Sequence, residues 1–255
     1  MATQRRQKST TGFYHVVVKG INKEKIFNMQ REKLYLKKII LKYLNDLEVE
    51  IYSYCIMSNH AHFIIRAEIE VLSLFMAKVL AEYASYYNFK HHRNGHVFQN
   101  RFMSECIENE RYFWTCLRYI HLNPVKAAMV KNPVRYKYSS MVDYKTEVTG
   151  LLHEKAISLY KKHFYDYSEF EEFHKLRSME LFIDYSEDVN LQYIELGLYI
   201  AEKMFEEKNL TLLQQVFEEK ENREEYIKRL AAGLKIGIGR ARKLCTVIYN
   251  KVENG

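Results

Sequence analysis

The chain has 255 residues, of which 47% are hydrophobic and 28% charged, a composition typical of an ordinary globular protein of one large domain or two smaller ones. No stretch approaches the roughly 18 uncharged apolar residues of a membrane span, and the N-terminus lacks an apolar targeting segment. The four cysteines are scattered without a C-x-x-C pair, so we expect a cytoplasmic protein with reduced thiols and no membrane anchor.

The formal net charge of +7 is spread unevenly along the chain. Residues 1–140 carry 22 Lys and Arg against 11 Asp and Glu, whereas residues 141–255 carry 17 against 21. A basic surface favours a polyanionic partner such as nucleic acid, although many basic proteins bind none. Charge alone leaves both interpretations open.

The first half of the basic region alternates between strand and helix patterns. Residues 13–20 (FYHVVVKG) are β-branched and predict a strand, and residues 29–47 place apolar side chains at helical spacing. Two further strands are predicted over 49–57 and 60–67, joined by a tight turn.

The pattern then continues with a helix over 71–91, a strand within 95–107 and a helix over 109–123 that should end at Pro124. The resulting order β-α-β-β-α-β-α predicts an α+β fold, a ferredoxin-like antiparallel sheet with helices packed on it. We place a domain boundary near residue 150, giving domains 1–148 and 149–255.

The second domain has helical patterns throughout. Residues 223–251 split into two helical pieces around the sequence GLKIG, and the second piece carries Arg240, Arg242 and Lys243. A helix, a short glycine-containing turn and a basic helix form the outline of a DNA-binding helix-turn-helix. Any helical hairpin with a basic face gives the same pattern, so DNA contact by this segment stays a hypothesis.

Two histidines interrupt the apolar strand YCIMSNHAHFIIR. His60 and His62 are two residues apart, so both imidazoles leave the same face of an extended chain. Burying two imidazoles against an apolar sheet costs free energy unless their nitrogens find partners, and a divalent metal can bind both. Core histidines that are satisfied by hydrogen bonds are the alternative explanation.

The segment RYIHLNPVKAAMV supplies two further candidate residues. On a helix Tyr119 and Asn123 are four residues apart and lie on one face. A carboxamide oxygen suits Mg²⁺ or Mn²⁺, and a phenol beside a metal suits nucleophilic attack on phosphate. With 21 tyrosines in the chain, this spacing can also arise by accident.

Five segments in this order resemble the motifs of the single-tyrosine HUH transposases, in which U is an apolar residue. They are YHVVVKG, MSNHAHFIIR, GHVFQNRF, YIHLNPVKAAMV and YKYSS, and together they cover about residues 10–145. Within that superfamily, which includes the IS200-like transposases, the chain is most similar to the REP-associated tyrosine transposases.

The resemblance implies a function and a set of site residues. It implies that His60, His62 and Asn123 bind Mg²⁺ or Mn²⁺, and that Tyr119 attacks single-stranded or hairpin DNA to form a 5′-phosphotyrosine during DNA transposition and recombination. Relatives of this kind include monomers as well as homodimers that exchange tyrosine helices, so the sequence does not decide the oligomeric state.

Several cations are candidate DNA contacts. Arg101 stands between Phe98 and Phe102, which could stack on bases. The other candidates in the first domain are Lys19, Lys90, Arg93 and Lys126.

Three other functions remain open at this point. A non-catalytic, sequence-specific DNA-binding regulator would keep the fold and the basic face without needing the phenol. A plasmid or replication nickase would share the chemistry and the HUH motif but not the YIHLNPV segment. A zinc hydrolase of small phosphoesters would turn over without a protein–DNA adduct.

Overall fold

The computed structural model describes residues 6–177, 180–184 and 186–253. The chain divides into two compact units, Met1–Ser178 and Met179–Gly255, and each is described by itself. Among the described residues, no helix combines the length and apolar character needed to span a membrane.

The first unit begins with the alternating strands and helices that the sequence predicts. These elements are β1 (Phe13–Lys19), α1 (Gln30–Leu44), β2 (Glu50–Ile56), β3 (His60–Arg66), α2 (Ile69–Lys90), β4 (Met103–Cys106) and α3 (Glu110–Lys126). The four strands form one sheet in the order β2-β3-β1-β4, and every neighbouring pair is antiparallel. This architecture confirms the predicted α+β, ferredoxin-like fold.

Strand alternation gives the sheet two different faces. Val18, Phe63 and Ile65 point to one face, where they meet apolar side chains of α1 and α2. The register pairs Val17 with His62 and Lys19 with His60, so these residues share the opposite face, against which α3 packs. The histidine pair therefore lies between the sheet and α3.

A β-bulge in β2 adapts this strand to α3. The β2–β3 register pairs Ile51 with Ile65 and then Ser53 with Ile64, which leaves Tyr52 as an extra residue. Without this shift, Ile51 and Ser53 would face the same side. The bulge instead brings the Ser53 hydroxyl to the face covered by α3.

Three short helices complete the first unit: α4 (Met141–Thr146), α5 (Glu154–His163) and α6 (Tyr167–Lys175). The chain leading to them covers the outer edge of β2, because Ile56 N–H donates to the Tyr138 carbonyl and Ser140 N–H donates to the Tyr54 carbonyl. Helix α5 packs on β2 and α6 on α3. Residues 149–175 are thus grouped with the first unit, which differs from the predicted boundary near 150; the functional extent of the two domains stays a prediction.

The second unit is helical, consisting of α7 (Ser186–Glu207), α8 (Gln215–Glu218), α9 (Lys220–Leu234) and α10 (Ile238–Glu253). Helices α7, α9 and α10 pack against one another around a core that includes Met204, Leu230 and Ile248. Helix α9 ends where Lys235 takes a left-handed conformation with φ of 52°, and α10 begins three residues later. The glycine-containing turn therefore separates two helices where the sequence predicts it.

One predicted strand is shorter than the segment that was expected to contain it, and one predicted helix end was wrong. The strand expected within 95–107 is confined to Met103–Cys106, while Phe98 makes only an isolated bridge to Gly20 and the intervening residues form a loop. Helix α3 does not end at Pro124 but continues to Lys126. The helix tolerates Pro124 because this proline removes only one backbone hydrogen bond, close to the C-terminal end of α3. Three residues later the helical pattern is present again, since Ala127 N–H donates to the Asn123 carbonyl.

Candidate active site

The two histidines of β3 are buried and close to each other. Their ring centroids are 4.9 Å apart with the planes nearly perpendicular. Since β3 is an interior strand, its hydrogen bonds to β1 and β2 fix the backbone on both sides of the pair. The spacing of His60 and His62 thus produces the shared face that the sequence predicts.

A third histidine, His15 of β1, contacts His62. His15 Nε2 lies 3.1 Å from His62 Nδ1, and the two rings stack with centroids 5.4 Å apart. A partner at Nδ1 fixes the ring orientation of His62 and directs its Nε2 elsewhere. Sequence reasoning missed this role, because only the β1–β3 register reveals that His15 lies beside a residue 47 positions away.

Burial keeps these imidazoles neutral. It lowers the pKa of His15 to about 3 and holds the pKa of His62 well below its ordinary value. Positive charge on the neighbouring His60, His15 or Lys19 lowers the pKa of His62 further. Neutral imidazole is the form that binds a metal, so the site keeps His62 ready for this role at physiological pH.

Tyr119 of α3 lies directly against the histidines of the same chain. Its ring centroid is 5.7 Å from that of His62 and 6.1 Å from that of His15, both in edge-to-face geometry. The side chain is 6% exposed. The Lys126 ammonium lies 5.2 Å from the Tyr119 ring centroid, close enough to attract a phenolate.

Asn123 lies one helical turn after Tyr119 and is also buried. Its Nδ2 donates a hydrogen bond to the Tyr119 carbonyl at 3.0 Å. This bond occupies the nitrogen end of the carboxamide, and the oxygen end has the ligand chemistry that Mg²⁺ or Mn²⁺ prefers.

The donor chemistry fits a hard divalent cation. No three His, Cys, Asp or Glu side chains come together as a metal site in the described parts of the chain. Strand β3 offers two imidazoles, and α3, which packs on this sheet face, offers the carboxamide of Asn123 one turn after Tyr119. This mixed nitrogen and oxygen set is compatible with Mg²⁺ or Mn²⁺.

A buried polar network fixes α3 on its other side. His121 Nε2 lies 2.8 Å from the Ser140 hydroxyl, and His121 Nδ1 lies 2.9 Å from His174 Nε2 on α6. His174 Nδ1 then donates to the Phe170 carbonyl. Because His121 stands between Tyr119 and Asn123 in sequence, this network sets the position of the helix that carries both. It was also missed by sequence reasoning.

The predicted DNA-binding cations occupy different settings. Lys19 is 4% exposed and pairs with His60 in the β1–β3 register, so it belongs to the site itself. Lys90 and Arg101 are exposed. Arg93 is an ion-pair partner of Glu24 and also donates to the His96 carbonyl, which gives it a structural role in its loop.

The three predicted cations of the second unit, Arg240, Arg242 and Lys243, are all exposed on α10. The Arg240 guanidinium lies 4.9 Å from the Tyr193 ring centroid. Residues 235–251 contain five Lys and Arg and no Asp or Glu. The basic face of α10 thus contrasts with the acidic composition of the C-terminal half.

Comparison with known proteins gives a match to a family model and matches to solved structures, one of which is described below. Residues 8–123 match the family model described as "Transposase IS200 like", and this segment includes His60, His62, Tyr119 and Asn123. A search of curated proteins found no match. A solved REP-associated tyrosine transposase bound to a REP hairpin is similar at 21% identity and a TM-score of 0.48, covering 60% of this chain and 90% of that one.

Proposed function

Because residues 8–123 match the model of the IS200-like transposases, we propose that this chain is a transposase that cuts and rejoins single-stranded DNA through a 5′-phosphotyrosine at Tyr119. The observation that carries the proposal is the packing of the Tyr119 ring against His62 within one chain. A phenol held at a paired-histidine site, beside Lys19 and Lys126, suits attack on a phosphodiester better than structural packing alone.

The reaction is a transesterification that conserves the phosphodiester. The Tyr119 oxygen attacks phosphorus, a bond forms between phosphorus and the phenol oxygen, and the bond from phosphorus to the 3′ oxygen breaks. The released 3′ oxygen takes up the proton that the phenol loses. Attack by another 3′ hydroxyl reverses the step and joins a new strand, as transposition of small mobile or repeat elements requires.

His60, His62 and Asn123 would hold Mg²⁺ or Mn²⁺ in this proposal. The bound cation supplies charge neutralisation and polarisation of the phosphate oxygens. The protein itself contributes the orientation of His62 through His15 and the positive charges of Lys19 and Lys126 near the phosphate.

The proposed reaction takes place within one chain. The histidines and Tyr119 come from the same chain, so attack in cis needs no second copy. Backbone hydrogen bonds from the chain following α3 already occupy the outer edge of β2, including one from His153 N–H to the Ile51 carbonyl. Strand pairing between two copies at this edge would have to displace them, which favours monomeric action over the homodimer.

The basic face of α10 supports a second DNA contact in the same proposal. The cations on the exposed face of α10, within a segment that has no Asp or Glu, favour contact with a polyanion on that side. We assign Arg240, Arg242 and Lys243 to contacts with the phosphates of duplex or hairpin DNA.

The decisive experiment is covalent trapping. Single-stranded DNA that is labelled at its 3′ end is incubated with Mn²⁺, and the denatured mixture is examined for labelled protein, because the fragment bearing the 5′ phosphate stays attached. The Tyr119→Phe variant should form no adduct yet bind DNA. Tyr86→Phe on α2, across the sheet from the site, is the matched control and should form the adduct normally.

The possible results separate the two candidate functions. An adduct that persists in Tyr119→Phe removes this residue from its role. DNA binding by the unmodified chain without any adduct in Mn²⁺ would instead favour the non-catalytic DNA-binding regulator.

A further inference from the structure

A groove of about 540 Å³ opens beside the edge of the sheet, between α2 and the loop 95–102. Its apolar floor includes Ile21, Leu80 and Val97. Two alanines of α2, Ala77 and Ala81, line it without filling it, because their side chains end at the β-carbon. The result is an open slot with small side chains on its helical wall.

Two arginines stand at the rim of this groove. The Arg6 guanidinium stacks 3.8 Å from the Phe102 ring centroid and donates to the Phe102 carbonyl. Burial lowers the pKa of Arg6, and the nearby charge of Arg101 lowers it further. Both arginines line the same groove, so an anion held between the two guanidinium groups would reduce their mutual repulsion.

Polar groups beside the arginines are uncharged or cationic. The residues lining the groove in the described chain include the carboxamides of Gln99 and Asn100 and the imidazole of His96, but no Asp or Glu. Carboxamides donate and accept hydrogen bonds, as the edge of a nucleobase does. An apolar slot with a carboxamide edge and a cationic rim therefore matches the three chemical parts of a nucleotide.

Backbone pairing connects the loop of this groove to the strand of the histidines, although α2 lies on the opposite face of the sheet. Gly20 pairs with Phe98, and Gln99 N–H donates to the Lys19 carbonyl at 2.9 Å. Lys19 in turn pairs with His60. Two strand spacings, about 10 Å, thus separate the loop that forms the groove from the strand that carries the histidines. A few linked nucleotides can span such a distance.

We propose that this groove binds one unpaired nucleotide of the DNA strand that is cut, with its base against α2 and its phosphate between Arg6 and Arg101. The proposal rests on the proposed function for the identity of the strand. A base that is already paired in a duplex cannot enter the slot, so the groove selects unpaired DNA next to the cleavage point.

Two substitutions test the two parts of the nucleotide. Ala81→Leu fills the slot from an exposed helical position and keeps good helix propensity, so the fold is retained. Arg101→Ala removes an exposed cation. We expect each to weaken binding of single-stranded DNA about tenfold by fluorescence anisotropy. Ser85→Leu, one turn along α2 and outside the groove, is the control and should bind normally.

Abasic substitution identifies the base. One abasic site is moved along the oligonucleotide, and one position should weaken binding to the unmodified protein about tenfold. At that position Ala81→Leu should show no further loss, since the slot is already filled. Equal affinities of Ala81→Leu and Ser85→Leu, or abasic effects that are uniform along the strand, would overturn the proposal.

The outcome is separable from that of the proposed function. A normal Tyr119 adduct with no effect of either groove substitution would reject the groove and keep the transposase. An abasic effect without any covalent adduct would keep the groove and reject the phosphotyrosine. Equal losses for duplex and single-stranded DNA in Arg101→Ala, with none in Ala81→Leu, would reduce the site to a surface phosphate contact and reject the nucleotide slot.

Discussion

The two units of this chain differ in what they bury. The first unit buries histidines, lysines and an arginine beside its apolar core, among them His62, Lys19 and Arg118. In the described part of the second unit, the buried polar residues are Gln192 and Asn222, and its core is otherwise apolar or aromatic. The first unit therefore carries buried groups that an efficient core would avoid, while the second places its charges at the surface.

This difference indicates that the buried polar groups of the first unit have a chemical role in addition to their role in folding. A buried imidazole or ammonium costs free energy, so a fold keeps several of them only where they are held by partners or perform a task. In the first unit both conditions apply, since His15, His62 and Tyr119 pack together at the candidate active site. In the second unit, substitutions should act on stability or on surface contacts and leave the chemistry alone.

The largest expected effect is loss of cleavage in His62→Gln. Glutamine keeps a neutral polar side chain next to His15 but removes the imidazole proposed to bind the cation. We expect the rate of Mn²⁺-dependent cleavage to fall at least about 1,000-fold, equivalent to about 4 kcal/mol of transition-state stabilisation. The measurement is the initial rate of cleavage of 3′-labelled single-stranded DNA, together with the thermal unfolding midpoint.

Ile64→Val is the matched control on the same strand and face. It should cost about 1 kcal/mol of stability and leave the cleavage rate unchanged, because only a buried methyl group is lost. Cleavage by His62→Gln at the normal rate, or full activity of the unmodified protein in a chelator, would contradict the metal site.

A core substitution in the second unit should show the opposite profile. Leu230 of α9 is fully buried in the core shared by α7, α9 and α10. Leu230→Ala should destabilise this unit by about 3 kcal/mol, measured as faster amide hydrogen exchange in its helices. The Tyr119 adduct with a short single-stranded oligonucleotide should form at the normal rate. If the Tyr119 adduct were lost together with the stability of the second unit, this unit would be needed for the reaction. That result would contradict the separate roles inferred for the two units.

The buried network of the first unit predicts sensitivity to acid. Burial lowers the pKa of His174 to about 4, although the Phe170 carbonyl opposes this; the nearby charge of Arg118 adds to the lowering. Since this pKa lies below that of an unfolded histidine, the folded state binds fewer protons. Stability is complete above about pH 6.5 and is lost as the pH falls toward 4, by about 2 kcal/mol at pH 5.

His174→Gln tests this pH dependence. The carboxamide can accept from His121 and donate to the Phe170 carbonyl without titrating, so the acid loss of the first unit should shrink by about 2 kcal/mol at pH 5 in denaturant unfolding. The control His96→Gln replaces an exposed histidine and should leave the pH dependence as it is. An unchanged slope in His174→Gln would show that this ring does not couple to folding.

Most of the fold follows from periodicity in the sequence. Alternation in β1 and β3 fixes which side chains face each side, and His60 and His62 share a face whatever packs on it. The spacing of Tyr119 and Asn123 places both on one side of α3 for the same reason. These relations are local, so a single sequence is enough to predict them.

The remaining features depend on contacts between distant residues. His15 meets His62 only through strand register, and His121 meets His174 only because α6 packs on α3, 53 residues later in the chain. No local pattern marks either pair. The late start of β4, at Met103, and the continuation of α3 past Pro124 were missed because both depend on how loops and helices pack.

The smallest expected effect concerns the surface of the second unit. Arg242 is exposed on α10, within the segment 235–251, which contains no Asp or Glu. If it contacts one phosphate, Arg242→Ala should reduce the dependence of log K on log salt concentration for hairpin DNA by about one unit and weaken binding a few-fold. Arg229→Ala is the matched control. The charge of Arg229 is already neutralised by ion pairs with Glu207 and Glu225, so this side chain should not bind a phosphate.

Salt dependence is the proper readout, because it counts the phosphates that are neutralised rather than the strength of any single contact. A slope that changes in Arg242→Ala and not in Arg229→Ala would assign DNA contact to α10, while cleavage stays with the first unit. Equal slopes in both variants would mean that the segregated charge of α10 does not face DNA. In that case α10 would take no part in DNA binding. The two units would then differ in their contact with DNA as well as in the polar residues that they bury.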